Sequence, residues 1–154
     1  MEPMWNEITW KVIVEQSDAI EFDWYAMDRL GHIAAFSSYG RGAIPKAAKS
    51  SRESYNELYE LVASLPENTD GILVYNGTGW YDDWITYSRQ GLFGYDYQDA
   101  HRKIPYGQYD LLTCPRVPIH IDDMRLSPEL RCIVPFVDVE FGKEPVVPFE
   151  VISC

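Results

Sequence analysis

Residues Ile20 to Gly42 read IEFDWYAMDRLGHIAAFSSYGRG. Ile20, Phe22, Trp24 and Ala26 alternate with Glu21, Asp23, Tyr25 and Met27, the period-two pattern of a strand with one buried face. Asp28-Arg29-Leu30-Gly31 interrupts the alternation. Asp opens a turn there, and Gly can take the positive φ that closes a bulged hairpin loop. His32 to Ser38 resumes an extended pattern, so the two runs predict an antiparallel hairpin. The exit, Ser37 to Gly42, is polar and leads toward a helix. This is a fold nucleus that names no chemistry.

Upstream, Thr9 to Val14 (TWKVIV) reads as a short strand ended by a turn at Gln16-Ser17-Asp18. Downstream, Ser50-Ser51-Arg52-Glu53 marks a helix start, with Ser50 and Glu53 at capping-box spacing. Tyr55, Leu58, Tyr59, Val62 and Leu65 follow as one apolar stripe, with Glu53, Glu57 and Glu60 on the opposite face, and Pro66 stops the helix. Gly71 to Asn76 is strand-like. A second helix begins at Trp80-Tyr81-Asp82-Asp83-Trp84-Ile85, with Tyr81, Trp84, Ile85 and Ser88 on one stripe and Gly91 as its stop. Leu92 to Tyr97 and Tyr109 to Cys114 are extended, joined by the locally basic Asp99 to Gly107. Prolines break up the next stretch, in which Pro118 to Ile121 is extended. Cys132 to Phe141 alternates well enough to be the best late strand, with Pro135 marking an edge or bulge. Pro145 to Ile152 is a further strand. These elements predict one α+β domain over residues 1–154, with a mainly antiparallel sheet and about two helices.

At 154 residues, 46% hydrophobic and 14% aromatic, the chain has the material for a real core. The net charge of −11 is spread evenly: 12 acidic residues against 6 basic up to Gly77, and 12 against 7 beyond it. Such a field repels nucleic acid and anionic membrane and attracts basic partners. Five Trp and eleven Tyr suit both a core and an interface. Cys114, Cys132 and Cys154 are odd in number and lack CxxC spacing, which points to a reducing cytoplasm. No signal-peptide pattern and no apolar run of membrane-spanning length occurs, so a cytoplasmic protein without membrane association is expected.

No constellation carries catalysis. Asp82-Asp83 beside Trp80, Tyr81 and Trp84 could form a sugar site, but adjacent helical residues point in different directions. Two acids in a first turn are explained by the helix dipole. His120-Ile121-Asp122-Asp123 is an incomplete metal set. Gly40-Arg41-Gly42 lacks the strand context and the GK[ST] of a phosphate loop. No cofactor or metal is expected.

The hairpin has a family look. Asp23-Trp24-Tyr25-Ala26-Met27-Asp28, then Gly31 to Ser38, then Gly40-Arg41-Gly42, resembles the pattern W-[FY]-A-x-D-x-x-G-x-I-A-x-F-x-[ST]-x-G-x-G-x-[IVL]-P. That pattern belongs to small bacterial proteins similar to the immunity proteins of polymorphic toxin systems. Gly91 to Asp96, Tyr109 to Pro115 and Pro118 to Asp123 also look like that group, so the likeness covers scattered parts of residues 20–123. Its motif residues belong to strands and turns, and no catalytic residue carries over. The resemblance implies a non-enzymatic module that binds and neutralises a basic toxin. The candidate docking residues are Glu53, Glu57 and Glu60 on the first helix, Trp80, Tyr81, Asp82 and Asp83 at the second, and Arg41 in the glycine loop. The alternative expectation is a small enzyme or carbohydrate-binding domain built on the Trp80–Trp84 cluster.

Overall fold

A computed structural model describes residues 5–17, 20–38, 42–75, 81–97 and 107–152. Its nucleus is the expected hairpin: β1 (Asp23–Met27) pairs antiparallel with β2 (Ile33–Ser37), Asp23 opposite Ser37 and Met27 opposite Ile33. The turn works as its residues require. Asp28 Oδ1 accepts the backbone N–H groups of Leu30 and His32, both at 2.9 Å. Gly31 sits at φ 78° with the His120 ring against its Cα, leaving no room for a side chain. The second Asp28 oxygen accepts the N–H of Phe141 at 2.8 Å, which ties the turn to the C-terminal part of the chain.

The other strands build a mixed sheet around this pair. β3 (Gly71–Leu73), β4 (Phe93–Asp96), β5 (Gln108–Pro115) and β6 (Val146–Pro148) complete it. The order is β1-β2-β4-β5-β3, and β6 pairs with β5 beside β3. Among the pairs of named strands only β2–β4 is parallel, because the chain between them crosses over through α2 (Arg52–Ala63), β3 and α3 (Asp82–Arg89). The architecture is α+β with a mainly antiparallel sheet.

The hairpin is buried on both faces, not one: Trp24, Tyr25 and Ala26 are all buried, as is every residue of β2. The reason is that β2 is an interior strand covered on each side. One face carries Trp24, Phe36, Tyr95 and Tyr109 in ring contact, with Phe36 4.3 Å from Trp24 and 5.1 Å from Tyr95 between centroids, and Phe141 closes over them. The opposite face carries Asp23, Tyr25, Ala35 and Gly94 and receives the helices. Gly94 is small for cause: a Cβ there would lie 3.0 Å from Trp84 Cδ1 of α3.

Several expectations are corrected. Thr9 to Val14 is not a strand but lies within α1 (Glu7–Glu15). Asn6 and Thr9 form a reciprocal capping box, and Trp10 and Ile13, three apart, turn inward. Trp10 packs on Phe22 and Tyr55, so tertiary contact overrides the β-branched composition. The cap of α2 is Ser51, whose hydroxyl accepts from Ser54 N–H, while Ser50 donates to Ala47 O and closes the preceding 3-10 turn. The described residues hold four α-helices instead of about two, the fourth being the single turn α4 (Pro128–Arg131).

Cys132 to Phe141 is no strand either. Its alternation is real in burial, with Val137, Val139 and Phe141 inward and Phe136 53% exposed. Yet it meets β1 only at Met27, through Met27 N–H to Pro135 O and Val137 N–H to Met27 O, both 2.9 Å. Pro135 has no N–H to extend a ladder, and Val139 N–H turns back locally to Val137 O. In Pro118 to Ile121, His120 forms one bridge to His32 before a 3-10 turn begins at Ile121. Pro145 to Ile152 keeps three strand residues and then forms a 3-10 turn at Phe149–Val151.

Candidate functional site

On the helix-bearing face, α2 and α3 stand apart over the start of β1 and leave a pocket of about 260 Å³. Tyr59, Val62 and Ala63 of α2 form one wall; Asp83, Thr86, Tyr87 and Gln90 form the other. Each set follows the three-and-four spacing of a single helical stripe. Asp23 and Tyr25 of β1 supply the floor. Gln90 fixes the gap: its amide donates to Val62 O at 2.9 Å and Leu65 O at 3.1 Å, satisfying carbonyls at the end of α2.

The polar groups of the floor form a directed chain. The Tyr87 hydroxyl donates to Asp23 Oδ2 at 2.6 Å and lies 3.2 Å from the Tyr25 hydroxyl. Tyr87 has one proton and spends it on the carboxylate, so Tyr25 donates to Tyr87. Tyr55 donates to the backbone carbonyl of Asp23 and holds the strand start in place.

Burial pushes the Asp23 carboxyl above the usual carboxylate range; hydrogen bonds from Tyr87 and Ser37 pull it back, and the charges of Glu21 and Asp83 push it up again. Burial, then the neighbouring Asp23 charge, drives the Tyr87 phenol far upward. Tyr25 is raised by burial and then by Tyr87. Both phenols therefore stay protonated donors at neutral pH, and neither is a general base.

Of the residues expected at a docking surface, Asp83 lines this pocket and Asp82, one position along, is exposed outside it. Glu57 and Glu60 border a second, shallower hollow with Leu61, Ala63 and Ser64. Ala63 belongs to both hollows, so the acidic face of α2 runs into the pocket rim. Glu53 is exposed in the first turn of α2 and lines neither. Tyr81 is half-buried, its ring 5.8 Å from Tyr75 and 6.3 Å from Trp84. Trp84 lies against Gly94 of the sheet. Trp80 and Arg41 lie outside the described residues. Among the described ion pairs, such as Arg29–Asp138 at 2.7 Å and Arg116–Asp70 at 3.1 Å, none engages Glu53, Glu57, Glu60, Asp82 or Asp83.

Sequence reasoning missed Asp23, Tyr25, Tyr59 and Tyr87. The available signal is an acid inside an otherwise apolar strand, which a pattern with one buried face places toward solvent. Among the described residues no cluster of three metal-ligating side chains occurs, and no helix is long and apolar enough to cross a membrane. No family model matches the chain, and no characterised protein or solved structure does so.

Proposed function

We propose that this protein is a non-enzymatic interaction module that binds a basic protein through the face formed by α2 and α3, in the manner of an immunity protein neutralising a basic toxin. One observation carries the reading. Asp23, an acid whose carboxyl burial shifts upward, lies at the floor of a pocket in which the other acidic lining residue is Asp83 and no basic one occurs among the described residues. Around it lie Glu57 and Glu60, which enter no ion pair among the described residues, on a chain of net charge −11. Electrostatic complementarity of this kind speeds encounter with a cationic surface, and buried aromatic and charged anchors hold the complex. The chemistry of the floor supports binding over turnover, since the phenols of Tyr25 and Tyr87 stay protonated and Asp23 accepts from Tyr87.

The test is capture from the native host with the tagged protein, followed by measured association of the purified partner with wild type and a Glu57→Lys/Asp83→Lys double variant. A basic partner whose binding weakens with salt and with charge reversal supports the reading. Failure to recover a basic partner, or binding unchanged in the folded double variant, overturns it.

A further inference from the structure

We infer that the pocket between α2 and α3 is a socket for one cationic side chain, a lysine ammonium or an arginine guanidinium, with Asp23 as its counter-charge. The inference rests on the partner-binding reading above and narrows it to one anchor group.

The pocket is side-chain sized. About 260 Å³ falls below the roughly 300–1,000 Å³ of ordinary small-molecule sites. Among the described lining residues its sign is uniform: β1 contributes Asp23, α3 contributes Asp83, and α2 contributes no cation. A carboxylate has about four acceptor positions; the hydrogen bond from Tyr87 uses one, and the cross-strand Ser37, which also lowers the carboxyl, takes at most a second. Capacity therefore remains for a donor arriving from the pocket. Burying a charge is costly unless it is paired, so a cation seated beside Asp23 supplies a counter-charge that no ion pair among the described residues gives it.

The walls suit the rest of such a side chain. Val62 and Ala63 offer apolar surface to a methylene stem. Tyr25, Tyr59 and Tyr87 supply rings whose faces attract cations within about 6 Å. A metal ion is a poorer occupant, because the hydroxyls beside Asp23 stay protonated and no group of three ligating side chains occurs among the described residues.

The experiment is an NMR titration of the full chain with Nα-acetyl-lysine methylamide, the arginine analogue, and the norleucine analogue as an uncharged isostere. Saturable shifts confined to Asp23, Tyr25, Tyr87 and Gln90 with the two cations, and none with norleucine, are expected. Asp23→Asn should weaken the cation response at least tenfold. Asp83→Asn, at an exposed position that tolerates change, should weaken it about twofold to threefold and serves if the first variant misfolds. Equal shifts from norleucine, no saturable response, or an unchanged affinity in the variants overturns the socket. The titration uses no protein partner, so the two readings fail separately. A negative titration with a basic protein still captured sinks the socket alone; a positive titration with no basic partner sinks the interaction reading alone.

Discussion

The Tyr87 hydroxyl reaches from α3 to the Asp23 carboxylate on β1 across 2.6 Å, joining a helix to the first residue of the hairpin strand. It also accepts the proton of Tyr25, so one phenol terminates two polar side chains. Tyr87→Phe should destabilise the fold by about 1–2 kcal/mol, because the Tyr25 hydroxyl loses its acceptor and Asp23 loses a donor. It should also move the Asp23 carboxyl further upward, since a hydrogen bond that lowers it is gone. Chemical denaturation and a ¹³C titration of the Asp23 carboxyl measure the two effects. An unchanged Asp23 titration in the folded variant would show that this bond does not govern the pocket.

Asp23 itself should weaken the free protein at neutral pH. Its folded carboxyl is raised, whereas in the unfolded chain an Asp titrates near about 3.9. Below that value both states hold the proton and the folded state keeps its full stability. As pH rises toward and through the raised folded value, the unfolded chain releases the proton first, and stability falls. Asp23→Asn removes this slope while keeping an acceptor for Tyr87. The variant should therefore melt at a higher temperature than wild type at pH 7, with the gap closing below about pH 4. A binding group retained at the expense of stability behaves this way. A lower melting temperature for Asp23→Asn across the whole pH range would mean the carboxylate is structural.

Asp28 contrasts with Asp23 although the two are only five residues apart in the hairpin. Three backbone N–H groups, from Leu30, His32 and Phe141, converge on its carboxylate, and it is 1% exposed. Asp28→Ala leaves all three donors without that acceptor and should cost about 3–5 kcal/mol. Asp28→Asn keeps one acceptor oxygen and should cost less. Urea denaturation ranks the pair; equal stability of Asp28→Ala and wild type would refute the role.

How much of this was readable beforehand follows from where the causes lie. Asp28 and Gly31 act locally, so the turn and both hairpin strands are legible in the run from Ile20 to Ser38. The stripe Tyr55, Leu58 and Val62 was legible for the same reason, because one helix face needs only its own spacing. What failed depended on distant partners. α1 forms where local composition favours a strand because Trp10 packs on Phe22 and Tyr55 and Ile13 is buried in the core. Cys132 to Phe141 alternates yet makes no ladder, because Pro135 cannot donate and β1 meets it at one residue. The pocket is half visible. Asp83 and the acidic face of α2 are candidate docking residues from sequence, but their meeting depends on both helices lying on one side of the sheet, and Asp23 enters only once both faces of the hairpin are known to be covered. Tyr87 escaped because it lies off the stripe of Tyr81, Trp84, Ile85 and Ser88, on the flank of α3 that lines the pocket.

The acidic rim should control how fast a partner arrives. Glu57 and Glu60 border the hollow that shares Ala63 with the pocket, and Asp83 stands in the opposite wall. Exposed charges of this kind act at a distance set by salt: the screening length is about 30 Å at 0.01 M and about 8 Å at 0.15 M. Glu57→Lys with Asp83→Lys changes the net charge by +4 on this face. Association with a basic partner should slow by roughly tenfold or more at low salt, and by much less at 0.15 M, because steering is screened. Dissociation should change less, since it reports the seated contacts at Asp23. Both positions are exposed on helices, so stability should stay within about 0.5 kcal/mol of wild type. Stopped-flow association across a salt series separates the cases. A folded double variant that associates at the wild-type rate in 0.01 M salt would remove α2 and α3 as the docking face.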